Sequence, residues 1–134
     1  MMPEMQYNLH PVGFIESSIK TRKDAPKQGV AGAPDVWLAI DADIAPALDG
    51  LSVGDEIIVI TWLNQTQRDV LQVRPHSNPN NSLRGVFSTR SPDRPNPLGL
   101  HPVTIREIDG TRLKIGPMEA IDGTPVVDIK PAHK

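Results

Sequence analysis

An all-β fold is the architecture this sequence predicts: a small closed or partly open β-barrel of about seven or eight short strands with one short helix. Three observations lead there. Short runs of β-branched and aromatic residues recur, the clearest being DEIIVITWL from Asp55 to Leu63. Turn signals separate them at the spacing of a sandwich or barrel, with Asp109-Gly110 and Asp122-Gly123 reading as tight hairpin turns. No internal repeat or linker divides the 134 residues, a length suited to one domain around one core.

Taken in order, Leu9 to Ser17 alternates as a first strand, with Val12, Phe14 and Leu9 as inward candidates. Ser18 to Pro34, polar and rich in Lys, Gly and Pro, is a long loop. Val36 to Ile40 is a second strand. Asp43 begins a short helix as its N-cap, Pro46 falls in the first turn and Gly50 ends it. The core strand Asp55 to Leu63 runs into a polar cluster, Asn64 to Gln67, which as an ordinary turn needs no function. Asp69 to Arg74 alternates and is expected as a rim strand, and Pro75 to Ser82 is an irregular loop. Strands follow at Arg84 to Thr89, at Pro102 to Ile108 with its start near Leu100, at Arg112 to Ile115 and at Pro125 to Ile129.

The stretch RGVFSTRSPDRPNPLGLHPV, Arg84 to Val103, stands apart. Arg90 and Arg94 are four residues apart, but Pro92, Pro95 and Pro97 each remove a donor and fix φ, so no helix sets that spacing. A stiff loop from Arg90 to Gly99 results, holding two guanidiniums and the amide of Asn96 at low entropy cost. Those groups suit a carboxylate, a phosphate or a nucleobase edge. The plain alternative is a structural turn whose arginines are solvated. Net charge is −2, yet from Arg74 to Arg106 five arginines face one acid, Asp93, a local excess able to attract an anion.

Absent cysteine excludes disulfides, thiolate metal sites and cysteine nucleophiles. His10, His76, His101 and His133 show no metal-ligand spacing, so no metal is expected. No apolar run reaches membrane-spanning length and no signal core opens the chain, so no membrane is expected and the cytoplasm is the default location.

GVFSTRSPDRPNPLGL followed by IDGTPVVDIKP (Ile121 to Pro131) resembles the TsaA-like family of S-adenosylmethionine-dependent tRNA methyltransferases, typified by TrmO, whose pattern is GVFATRSPxRPNPIGL and then DGTPVxDIKP. PVGFIES (Pro11 to Ser17) resembles that family's first strand, so the likeness covers nearly the whole chain. It implies a small barrel that binds S-adenosyl-L-methionine without a Rossmann sheet, as a homodimer with the cofactor near the subunit interface. The activity it implies is methylation of the exocyclic amine of threonylcarbamoyl-adenosine in tRNA. Carried over residue by residue, Arg90, Leu100, the run Gly116, Pro117, Met118 and Glu119, the pair Asn64 and Gln65, and the early Pro26, Lys27 and Gln28 match cofactor contacts. Asn96 is the candidate for accepting a hydrogen bond from the target amine, and Asp122 a second catalytic candidate that as Asp-Gly is first a turn residue. Arg84 and Arg94 are candidates for the substrate.

Departures are specific. The family's RPPRLGG has become RPHSNPNNSLRG (Arg74 to Gly85), its His-Gln pair is Asn64-Gln65, its Ser-His-Leu-Trp segment is Asp55 to Ile58, and its terminal KPYxPY is KPAHK. A single domain without the extra C-terminal domain of the tRNA enzymes is expected over residues 1–134. The cofactor motifs are therefore closer to the family than the substrate end. A different small-molecule or nucleotide acceptor, or a non-catalytic module binding cofactor or RNA, stand as alternatives.

Overall fold

The structure, a computed structural model, describes residues 4–21 and 33–133. Pro26, Lys27 and Gln28 lie outside the described residues. The strands are β1 (Gly13–Glu16), β2 (Val36–Ile40), β3 (Glu56–Trp62), β4 (Gln72–Val73), β5 (Arg84–Gly85), β6 (Leu98–Asp109), β7 (Arg112–Gly116) and β8 (Pro125–Pro131). Six of them close a barrel in the order β1-β2-β7-β6-β3-β8, with every pairing antiparallel. The expected barrel is present.

Period-2 alternation fills it. Ile57, Val59 and Thr61 of β3 face Val103, His101 and Gly99 of β6, and Ile15, Leu38, Leu113, Ile115 and Val126 complete the interior. β1 corrects the expected inward set. Phe14 is 47% exposed and Leu9 is exposed, while Gly13 and Ile15 turn inward. The phase is set at Gly13, where an added Cβ would stand 2.4 Å from the carbonyl oxygen of Ala39. β1 meets β8 through only two register pairs, Gly13↔Val126 and Phe14↔Pro125.

Four further expectations change. The short helix is a 3₁₀ helix, Ala42–Leu48, and its N-cap is Asp41, whose side chain accepts from the Asp43 amide at 3.0 Å. Of Asp69 to Arg74 only Gln72–Val73 is strand; it pairs with Arg84–Gly85 in a ribbon outside the barrel. After Gly85 the chain coils into a 3₁₀ turn, Val86–Ser88, rather than extending to Thr89. The hydroxyls of Ser88 and Thr89 cause this by donating back to the Gly85 and Val86 carbonyls at 2.8 and 3.0 Å. Finally, the strand expected to start near Leu100 and run over Pro102 to Ile108 is longer at both ends, Leu98–Asp109. Proline is accommodated within β6 because β7 joins it only from Thr104 on, leaving Pro102 on an edge.

Among the described residues no helix is long and apolar enough to cross a membrane. No three His, Asp or Glu side chains among them gather as a metal site.

Candidate functional site

Antiparallel closure brings the ends of β1, β3 and β7 to one mouth of the barrel, together with the starts of β2, β6 and β8. The candidate residues Asn64, Gln65, Arg90, Asn96, Gly116 to Glu119 and Asp122 collect at that mouth. Asn64 and Gln65 are exposed in the turn leaving β3, Arg90 to Pro97 enters β6, and Gly116 to Asp122 links β7 to β8.

The proline-rich loop is held from within. Arg94 donates to the carbonyls of Val86 and Thr89, the latter at 2.8 Å, and its Nε is buried without a partner. Its amide donates to Gln67 O at 3.1 Å. Arg68, which sequence reasoning passed over, clamps the other side. It donates from Nε to Pro95 O at 2.7 Å and from Nη2 to Asn96 Oδ1 at 3.0 Å, with its guanidinium 5.1 Å from the Trp62 ring centroid. Asp93 accepts from the Gln67 amide at 2.9 Å. So Arg94 is a brace of the loop, and one lone pair of the Asn96 oxygen is already engaged. Arg90 differs: it is exposed and has no hydrogen-bond or ion-pair partner among the described residues. Arg84 shares that freedom. It lines a small polar cavity of about 360 Å³ with Pro75, Asn80, Asn81 and Ser82.

The β7–β8 link has a different character. The entry to β2 packs closely on Gly116: an added Cβ would meet Asp35 Oδ1 at 1.8 Å and the Asp35 Cα at 3.1 Å, so a larger residue would displace the Asp35 side chain. Met118 is fully buried and its amide donates to Pro34 O at 3.0 Å, which leaves Pro117 and Glu119 as the half-exposed members of the run. Leu100 is 47% exposed and points outward from β6, as does Leu98. Asp122 accepts from the Ser17 amide at 2.9 Å and pairs with Lys20 at 3.0 Å; the first bond and then the second hold its carboxyl below the usual range. These contacts make it a brace between the end of β1 and the turn into β8.

One group was missed. His101, 5% exposed, bonds Thr61 Oγ1 through Nε2 and Glu119 Oε1 through Nδ1, each at 2.7 Å. A carboxylate only accepts, so Nδ1–H donates to Glu119, while Nε2 bonds the Thr61 hydroxyl. Burial pushes the Glu119 carboxyl up, but the His101 hydrogen bond and charge, with a backbone bond, outweigh it and hold the group below its usual value. A line of hydrogen bonds thus runs from the barrel interior to the mouth. The available signal was parity: His101 shares its phase on β6 with Gly99, Val103 and Ile105, and is polar at a core position.

A cavity of about 870 Å³ opens at the opposite mouth, between the 3₁₀ helix, the start of β3 and the end of β8, with Ile44, Leu48, Asp55, Ile129 and His133 among its walls. Its walls include Asp128, Ile129 and Pro131 from the tail of the second motif but none of the candidate site residues among those described, so volume and chemistry point to different ends, and chemistry is the better guide to function.

Known proteins resemble this chain over nearly its whole length. A Methanothermobacter thermautotrophicus protein described as a probable S-adenosyl-L-methionine-binding protein is 41% identical over 99% of this chain and 95% of its own length. An Archaeoglobus fulgidus S-adenosyl-L-methionine-binding protein is 43% identical over 91% of this chain and 86% of its own. The crystal structure of TrmO from Pseudomonas aeruginosa superposes with a TM-score of 0.76 at 28% identity, covering 98% of this chain and 56% of that one. The chain thus spans little more than half the length of that TrmO. Residues 14–134 match the tRNA-methyltransferase O N-terminal domain, and the chain belongs to that family.

Proposed function

We propose that this protein binds S-adenosyl-L-methionine at the motif mouth and is a methyltransferase. Its acceptor is the exocyclic amine of a modified adenosine, threonylcarbamoyl-adenosine, in tRNA. The observation that carries the reading is the contrast between arginines of one rigid mouth. Arg68 and Arg94 are tied into the loop, whereas Arg90 is exposed with no partner among the described residues. A free guanidinium on a stiff support suits the carboxylate of a methionine chain. Support for the cofactor comes also from the relatives described as S-adenosyl-L-methionine-binding proteins.

The residues present fit such a ligand. Arg90 would hold the carboxylate, Leu100 would lie against the ligand, and the backbone of Gly116 to Glu119 would meet the adenine end. Asn64 and Gln65 would close one side. Pro26, Lys27 and Gln28 join this set on sequence resemblance alone. When bound, S-adenosylmethionine supplies an already activated methyl group, so the protein's part is alignment. Asn96 keeps a second lone pair on its oxygen for the target amine, while Arg68 fixes the amide's orientation. Arg84 is the substrate-side cation. The outward apolar side chains of Leu98 and Leu100 support packing of a second copy against β6, and the cytoplasm is the compartment this activity calls for.

A different nucleotide acceptor is favoured by one feature. The segment from Arg74 to Gly85, which departs most from the family pattern, forms the polar cavity beside Arg84. Calorimetry and a methyl-transfer assay on bulk tRNA from a strain lacking the gene decide between them. Arg90→Ala is expected to raise the Kd for S-adenosylmethionine roughly 10- to 100-fold, the worth of one charge-assisted interaction of about 1.5–3 kcal/mol. Asn96→Ala should abolish transfer and leave binding intact; loss of both together removes Asn96 from its role. Cofactor binding without transfer to tRNA selects the other acceptor.

A further inference from the structure

Phe87 is 87% exposed, the highest value among the exposed large apolar side chains. Its exposure is built in. Val86, beside it, is buried at 2%, and its amide donates to Leu71 O at 2.9 Å. The Thr89 amide closes the turn on Val86 O at 3.0 Å, Ser88 Oγ closes it on Gly85 O, and Arg94 grips the carbonyls on both sides. With Val86 fixed inward and the turn closed by these bonds, the phenyl ring is held out by the backbone rather than left loose. Three residues to either side stand Arg84 and Arg90, both exposed and both without a partner among the described residues. The nearest acid in the sequence, Asp93, already accepts from the Gln67 amide.

A rigid, solvent-facing aromatic between two free guanidiniums matches the chemistry of an unpaired base with its phosphates. The ring offers a stacking face, and the cations meet the backbone charge. We infer that Phe87 is the stacking platform for a base of single-stranded RNA, with Arg84 on a flanking phosphate, so that the base is seated next to the cofactor anchor Arg90. The inference rests on the proposed methyl transfer to RNA only for its purpose. The contact itself is testable without cofactor. An apolar protein partner would use the ring equally well, but would leave two unpaired guanidiniums at its edge.

The test uses the full chain, unfractionated tRNA as the probe, and fluorescence anisotropy over a salt series. Phe87→Ala is expected to weaken tRNA binding about tenfold or more, with Phe87→Trp restoring it and Phe87→Leu failing to. Arg84→Ala should lower the slope of log affinity against log salt by about one. Calorimetric affinity for S-adenosylmethionine should be unchanged in the Phe87 variants. Unchanged tRNA affinity in Phe87→Ala, or rescue by leucine as good as by tryptophan, overturns the inference. So does a change in sedimentation on Phe87→Ala, which assigns the ring to contact between copies of the chain. A wild-type protein that methylates tRNA, with tRNA affinity unchanged in Phe87→Ala, defeats this inference alone. One that binds tRNA through Phe87 but not the cofactor defeats the proposed function alone.

Discussion

His101→Ala is expected to lower stability by about 2–4 kcal/mol, read as a fall in Tm of roughly 10 °C. The substitution empties part of the barrel interior and strands two groups at once: the Thr61 hydroxyl loses its partner and the Glu119 carboxylate its donor. His101→Gln keeps a polar side chain able to serve one of them and should lose less. Glu119 adds a pH signature. Its carboxyl is held below the ordinary 4.5, so its stabilisation is present above the unfolded-state value and is lost as pH falls through the folded one. Urea titrations from pH 7 to pH 3 should therefore show wild type and Glu119→Gln converging below about pH 4.5. A gap that stays constant down to pH 3 would mean the pair carries no ionic stabilisation.

The second large effect separates two arginines that look alike in the sequence. Arg94→Ala should cost about 2–4 kcal/mol by releasing the carbonyls of Val86 and Thr89, tempered by removal of the buried, unpartnered Nε. Because that grip shapes the loop, cofactor affinity should fall with Tm. Arg90→Ala, at an exposed residue with no partner among the described residues, should leave Tm within about 1 °C while affinity falls. Thermal melts with and without S-adenosylmethionine check both, and a stable Arg94→Ala that still binds would sink the bracing role.

How legible was this? The barrel followed from runs such as Glu56–Trp62, where β-branched and aromatic residues leave little choice, and from glycine after aspartate at Gly110 and Gly123, both at positive φ. Phase was harder. In GFIES either Phe14 or Ile15 could face inward, and the decision lies in how closely Gly13 approaches Ala39, a contact across strands that no local pattern records. The turn at Val86–Ser88 was hidden likewise, since its hydroxyl bonds and the Arg94 grip compete with a good strand sequence. At the site, the motif named the loop and its arginines but not their division of labour. Arg68 lay outside the motif, and His101 looked like one more histidine until its parity on β6 placed it inside the barrel.

The short ladder joining β1 to β8 has a topological corollary. Its partners are drawn from the two extremes of the strand order, so bringing them together carries the greatest loop-closure entropy of any pairing in the molecule. It returns two register pairs for that cost, against seven between β3 and β6. The hoop is therefore expected to shut late, after the remaining strands have formed a curled ribbon. Ser17 and Asp122 meet across this same junction, which makes completion of the ring and the shaping of the reactive rim a single event.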